Sequence, residues 1–438
     1  MIKKIFSAAA ALWFISCANA QIAKHVIIVT VDGGRPDFYL DSSWHTTNMR
    51  ALMKQGAYAE GVNSMFPSIT YPSHTAIVTG VAPAKHGVYY NGMFEPDSAT
   101  GKIYWNYSSI KVPTLWSVAD EHGLKTASLL WPVTGDAPVA YNIPDIGSLG
   151  EKVREQYSKP EGFVDEVKKN VFDNAAKIEY GKNVNIAKIA AYVIQKDQPN
   201  LMTVHFFATD GAQHRVGREG DLVKRAVLDA DSGVAIIVKA LKDAGIWNQT
   251  VLIITGDHGF CTIKKTVAPN VWLSNAGLIT DKNHGQWKAQ FLTEGGAAFL
   301  YLKDKNDVET LNKVKQLLNN LPAEQRALFR VINKKQIDSV GADPNVVLAL
   351  SGLDGTAFNG VLKGDPVRQG KGGTHGYFPD FHQIQTGFIA VGPGIKKGTV
   401  IPVMSLKDIA PLVAKLLGFS FPTADGHIPA NILIGSIH

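Results

Sequence analysis

Three carboxylates and three imidazoles stand in patterns suited to holding divalent metal ions. Asp210 and His214 form an Asp-x-x-x-His pair within Asp-Gly-Ala-Gln-His, one helical turn apart. Asp257 and His258 lie between Gly256 and Gly259, in a turn where both neighbours can face one centre. His375 belongs to Gly372-Gly373-Thr374-His375-Gly376-Tyr377, whose glycines let backbone crowd a ligand. Asp32 opens Asp32-Gly33-Gly34. Two Zn2+ ions with three protein ligands each would use all six and keep positions open for substrate. Mn2+ or Fe would also suit these N/O donors. Two divalent cations set against three carboxylates leave one net positive charge, which suits a phosphodiester monoanion. Taken singly, the residues have plainer readings: Asp32 as a turn residue, Asp210 as a helix cap, His214 and His375 as surface or loop histidines.

The candidate nucleophile lies in Phe66-Pro67-Ser68-Ile69-Thr70-Tyr71-Pro72-Ser73-His74, followed by an apolar run that stops at Gly80. This reads as a helix beginning at about Thr70, with Pro72 in its first turn and Gly80 just past its end. Free N–H groups and the positive dipole end at a helix N-terminus favour an anion, so a Thr70 hydroxyl there could attack phosphate. A metal-bound oxygen would have its pKa lowered towards neutrality. The competing reading makes Thr70 the N-cap and nothing more.

Elements that could position these residues alternate between strand and helix. Residues 25–31 are an apolar, β-branched run ending at Asp32, suited to a strand buried on both faces. Further strands are expected over 125–131, 201–207, 250–255 and 386–392. Helices are expected over 46–55, 113–122, within 162–196, and over 220–244 and 405–417. Residues 262–370, with short strands such as 297–302, a helix near 306–319 and Gly-rich connections, read as an inserted α+β subdomain. The expected fold is a three-layer α/β domain, with a mostly parallel central sheet and helices on both faces. In such sheets ligands bind beyond the carboxyl ends of the strands. Asp32, Asp210 and Asp257 all fall at or just after such ends.

Composition narrows the alternatives. At 438 residues with 45% hydrophobic and 19% charged content, the chain reads as a globular protein of one large domain plus an insertion. The formal charge of +6 is spread without a Lys/Arg block, so no nucleic-acid platform is indicated. Residues 1–20 carry Lys3 and Lys4, an apolar run and Ala18-Asn19-Ala20, the pattern of a secretory signal cleaved after Ala20. A periplasmic or secreted protein starting at Gln21 is therefore expected. No later stretch is apolar enough to span a membrane. Cys261 is then the sole cysteine, read as a small buried side chain, and a monomer is the default.

Together these residues resemble the alkaline phosphatase superfamily and, within it, the nucleotide pyrophosphatase/phosphodiesterase family. The matching pieces are Val31 to Asp37, Phe66 to His74, Thr79-Gly80 with His86-Gly87, Asp210 with His214, Gly256 to Gly259, and Gly373 to Tyr377. Ala424-Asp425-Gly426 resembles the family's C-terminal end. The resemblance implies an alkaline-phosphatase-like dizinc hydrolase with a covalent phosphothreonine at Thr70, acting on a small phosphodiester or nucleotide. It implies that Asp32, Asp257 and His258 hold the zinc beside the nucleophile, and Asp210, His214 and His375 the leaving-group zinc. It also implies that Asn91 hydrogen-bonds a non-bridging phosphate oxygen. Sulfatases of the superfamily carry C/S-x-P-x-R where this chain has Thr70-Tyr71-Pro72-Ser73-His74, which argues against that chemistry. Tyr71 follows the nucleophile where a monoesterase would want a cation, although Lys85, Arg35 or Arg215 could supply one; a phosphomonoesterase is the alternative. Many family members place a nucleobase-stacking Tyr five residues before the equivalent of Asp210. Here that residue is His205, which stands with Tyr71, Asn91 and Trp131 as a candidate substrate-binding residue, Tyr71 and Trp131 being candidate walls of the pocket.

Overall fold

The computed structural model describes residues 21–98, 100–353 and 355–435; the expected signal segment, residues 1–20, lies outside them. Strand β1 (His25–Val31) is buried at all seven positions. Val26 and Ile28 pack into one core and Ile27, Val29 and Val31 into the other, as the pleat of a strand dictates. Its neighbours complete the sheet: β2 (Ala57–Asn63), β3 (Thr126–Leu129), β4 (Tyr141–Ile143), β5 (Leu201–Phe206), β6 (Thr250–Gly256) and β7 (Thr386–Val391). They lie in the order β2-β7-β6-β1-β5-β3-β4, with two short strands, Val400–Ile401 and Met404–Ser405, pairing along β2. All these pairings are parallel except those of β7, which runs antiparallel to both β6 and β2. The fold is thus three-layer α/β around a mostly parallel sheet.

Helices α1 (Thr47–Gln55), α4 (Asn183–Asp197) and α6 (Asp221–Asp243) cover one face through Met49, Ile189, Val234 and Ile237. Helices α2 (Thr70–Thr79), α3 (Leu115–Glu121) and α7 (Ile409–Leu417) cover the other through Ile77, Trp116 and Leu412. Between α4 and α6 a shorter helix, α5 (Ala208–Val216), follows β5 at the sheet's carboxyl edge. Between β6 and β7 the chain builds a separate four-stranded antiparallel sheet (Ala289–Glu294, Ala297–Leu302, Leu348–Gly352 and Phe329–Asn333), with the helix Val308–Asn319 packed on it.

Three local expectations differ from the structure. β2 is a strand that the sequence hides, because Ala-Tyr-Ala-Glu-Gly-Val-Asn has no unbroken apolar run and borrows its order from β7. The strand expected to reach residue 131 ends at Leu129, where Leu130 turns at φ +56°. The helical region 162–196 is two helices, Phe163–Val171 and α4.

The carboxyl edge tolerates little bulk. A Cβ on Gly256 would lie 1.9 Å from Thr386 Oγ1 and 2.4 Å from the Gly34 carbonyl oxygen. Gly256→Ala is expected to cost about 3 kcal/mol of stability, read as a lower urea midpoint; an unchanged midpoint would refute this close packing of β6 against β7 and the β1 turn.

Candidate active site

Register assembles the site. Val31 pairs with both Phe206 and Gly256, so Asp32 and Asp257 leave their strands at the same level. Asp257 Oδ1 accepts the N–H groups of Gly33 and His258, each at 3.0 Å, which leaves Oδ2 for the interior of the site. From the opposite side of β1, the chain leaves β5 and enters α5, whose first turn carries Asp210, with His214 one turn later.

All six expected ligands converge. Asp32 Oδ1 and Asp257 Oδ2 each lie 3.3 Å from His258 Nε2. Asp210 Oδ1 lies 3.2 Å from His214 Nε2 and 3.4 Å from His375 Nε2. The ligand atoms of Asp32, Asp257 and His258 fall within 4.8 Å of one another, as do those of Asp210, His258 and His375. His214 joins the second group through His375, with the two Nε2 atoms 3.2 Å apart. The rings of His258 and His375 stack at 3.7 Å, so the two groups are adjacent.

The hydrogen bonds around the imidazoles say what the cluster is for. Nδ1 of His214, His258 and His375 lies 3.0–3.1 Å from the carbonyl oxygens of Gly373, Gly259 and Ser68 respectively. A carbonyl only accepts, so each Nδ1 carries the proton and each Nε2 presents a lone pair inward. Asp32 Oδ1, Asp210 Oδ1 and Asp257 Oδ2 are buried and make no hydrogen bond among the described residues. Lone pairs facing lone pairs and carboxylates are repulsive unless a cation lies among them, so the residues fit a pair of divalent metal ions.

The electrostatics agree. Burial, with the charge of Asp210 added, holds the Asp32 carboxyl well above the usual range, and burial with the charge of Asp32 does the same to Asp257. Burial also pushes Asp210 up, but the adjacent His214 and His375 imidazoles outweigh it and hold that carboxyl low. Burial lowers His214, and Asp210 more than compensates, so its imidazole is raised. His258 is driven down by burial and by His375.

Thr70 is the first residue of α2, and the N-cap is Ile69, in an extended conformation. Its hydroxyl lies 3.5 Å from His258 Nε2, facing the Asp32–Asp257–His258 group, which answers the reading of Thr70 as a cap alone. Asn91 Oδ1 accepts the Tyr71 N–H at 2.9 Å, which spends the amide oxygen and leaves the NH2 free to donate beside Thr70. Tyr71 is partly exposed next to the nucleophile, its hydroxyl donating to the Asp145 carbonyl at 3.3 Å.

Two expected pocket residues lie elsewhere. Trp131 has no exposed surface and packs edge-on against Trp116 and His74, because the chain turns inward after Leu129; it offers no wall to a ligand. His205 is also buried: Nε2 lies 3.0 Å from Asp32 Oδ2 and Nδ1 2.9 Å from the Leu130 carbonyl, so it orients Asp32 instead of touching substrate. His205→Ala is expected to weaken metal binding by about 10–100-fold, measured by competition with a chelator; unchanged affinity would leave His205 without this role.

Ser68 escaped the sequence reading. Its hydroxyl accepts the Gly376 N–H and donates to the Tyr377 carbonyl, each at 3.0 Å, while its carbonyl receives His375 Nδ1. The nucleophile loop and the His375 loop are thereby one unit. The hairpin of the four-stranded antiparallel sheet adds to it, since the Gly296 N–H donates to the His375 carbonyl at 2.6 Å. No spacing rule marks the Ser68 contacts, which join residues 307 to 309 positions apart.

The cations considered for a monoester are engaged or displaced. Lys85 pairs with Asp425 at 2.6 Å. Arg35 is buried and bonds Asp37, Gln213 Oε1 and the Arg218 carbonyl. Arg215 is exposed near the end of α5. Asp145 contributes the opposite sign, its charge helping to raise both Asp32 and Tyr71.

Comparison with known proteins gives consistent relatives. A family model described as type I phosphodiesterase/nucleotide pyrophosphatase matches residues 26–377. Rat ectonucleotide pyrophosphatase/phosphodiesterase family member 7 is 26% identical over 416 residues, covering 93% of this chain and 86% of its own. Human bis(5'-adenosyl)-triphosphatase ENPP4 is 22% identical over 423 residues, covering 92% and 80%. Among solved structures, murine ectonucleotide pyrophosphatase/phosphodiesterase 5, an inactive threonine-to-alanine form in complex with AMP, matches with a TM-score of 0.68 and 22% identity. That match covers 94% of this chain and 100% of the other.

Proposed function

The chain belongs to the type I phosphodiesterase/nucleotide pyrophosphatase family, a family of metal-dependent hydrolases, and we propose that it cleaves phosphodiester or pyrophosphate bonds through a phosphothreonine at Thr70. The observation that carries this is the gathering of six metal-ligating side chains around one threonine hydroxyl at a helix N-terminus. Asp32, Asp257 and His258 would hold one Zn2+ beside Thr70, and Asp210, His214 and His375 the other. When bound, the ions lower the pKa of the attacking hydroxyl and neutralise charge on the leaving oxygen.

The Thr70 oxygen forms a bond to phosphorus as the opposite P–O bond breaks, releasing the leaving group with its electron pair. Water then cleaves the Thr70–phosphate bond and returns the proton to the hydroxyl. Asn91 donates its amide N–H to a non-bridging oxygen, and Tyr71 packs against the organic group. A nucleotide or related compound supplies such a bond, as the names of the relatives record for them.

Diesters are favoured over monoesters because Lys85 and Arg35 are committed elsewhere and Asp145 adds negative charge near Asp32. With p-nitrophenol as the common leaving group, kcat/KM is expected to be about a hundredfold higher for bis-(p-nitrophenyl) phosphate than for the monoester, ~3 kcal/mol of discrimination. A monoester preference would overturn the assignment. We also propose export, with residues 1–20 as a cleaved signal; N-terminal sequencing of the protein recovered from periplasm or medium should begin at Gln21.

A further inference from the structure

His74 lies one helical turn after Thr70 in α2 and has no exposed surface. Its Nδ1 is 2.9 Å from the Thr70 carbonyl oxygen and 3.5 Å from Asp257 Oδ2. Both of those atoms accept, so Nδ1 carries the proton. Its Nε2 is 2.8 Å from Thr30 Oγ1, in β1. Two rings meet it at an angle: Trp131, with centroids 4.7 Å apart, and His205, at 4.3 Å. One imidazole therefore touches the peptide of Thr70, a carboxylate expected to serve the ion beside Thr70, and the central strand.

We propose that His74 is a positioning residue for Thr70, fixing the first turn of α2 so that the Thr70 hydroxyl stays aligned with the Asp32–Asp257–His258 group. This rests on the reading of Thr70 as the nucleophile. A buried polar ring is an expensive way to fill space, and an apolar side chain would leave Asp257 Oδ2 with one contact fewer. A misplacement of about 1 Å at a reacting group is enough to lose roughly a hundredfold in rate.

The two amides separate the roles of the ring nitrogens. His74→Asn places an N–H near the position of Nδ1, whereas His74→Gln reaches towards that of Nε2. On the zinc-loaded full chain with bis-(p-nitrophenyl) phosphate, the Asn variant is expected to keep kcat within about tenfold. The Gln variant is expected to lose about a hundredfold in kcat at unchanged KM and zinc content. Hydrogen exchange of the segment 66–80 should accelerate only in the Gln variant. Equal kcat in the two variants, or a loss confined to KM or to zinc content, would overturn the proposal. Thr70→Ala in the same assay separates the two ideas: normal turnover there refutes the nucleophile, whereas an inactive Thr70→Ala with equal Asn and Gln variants refutes only the positioning. If His74→Gln does not fold, His74→Ala, which removes the Nδ1 contact to the Thr70 carbonyl, is read in its place. A loss of about a hundredfold in kcat at constant KM and zinc content supports the proposal, and a kcat equal to that of the Asn variant overturns it.

Discussion

Thr70→Ala is expected to lower turnover of bis-(p-nitrophenyl) phosphate by about 10^4-fold or more while bound zinc stays at the wild-type level. The magnitude is set by what losing a covalent nucleophile costs in other hydrolases, on the order of 10^6 in kcat. Zinc is retained because each proposed ion keeps its three acid and imidazole ligands when the hydroxyl is removed. The fold is retained because Thr70 is not the cap of α2 and the change removes only a hydroxyl and a methyl group. Rates and elemental analysis on one preparation decide the matter, and turnover above about a hundredth of wild type would take Thr70 out of the mechanism.

Stripping the metal should abolish hydrolysis and also loosen the protein. Binding at a thousandfold excess over Kd contributes about 4 kcal/mol per site, so treatment with EDTA is expected to lower Tm by about 10 °C, with both effects reversed by Zn2+. Activity that survives complete chelation would contradict the metal-dependent reading. The pH dependence of the metal-free protein follows from its carboxyls. Asp32 and Asp257 are held above their ordinary values, so in the folded state they keep protons that the unfolded chain has already released. Stability is then lost as pH rises. The raised His214 acts in the same direction, its contribution disappearing as pH climbs through its elevated pKa. The lowered His258 and His74 act oppositely, but only below the ordinary imidazole value of 6.5. From the ordinary imidazole value of 6.5 up to the raised pKa of His214, the metal-free Tm should therefore fall with pH more steeply than that of the zinc-loaded protein.

The convergence of the candidate ligands was legible in the sequence because chain direction and chemistry coincide. A parallel sheet delivers strand ends to one edge, and Asp32, Asp210 and Asp257 stand where three strands end, so reading the strands located the acids. His375 was legible through its glycines. The supporting contacts were not. Ser68, His74 and His205 act through hydrogen bonds that mostly reach residues distant in sequence, and a lone Ser or His carries no periodic signal. Trp131 misled for a related reason: its surroundings depend on where β3 stops, which a positive φ at Leu130 decides and residue type does not. β2 was missed because its order comes from pairing with β7, a partner more than three hundred residues later.

The bond from Gly296 to the His375 carbonyl gives the four-stranded antiparallel sheet between β6 and β7 a stake in the proposed chemistry. Its hairpin turn braces a loop that carries one of the six proposed ligands, so this sheet is more than decoration on a self-sufficient catalytic body. A chimaera that exchanges this region with a relative's must therefore conserve the geometry of two consecutive glycines at the hairpin tip, whatever liberties it takes with the rest of the module.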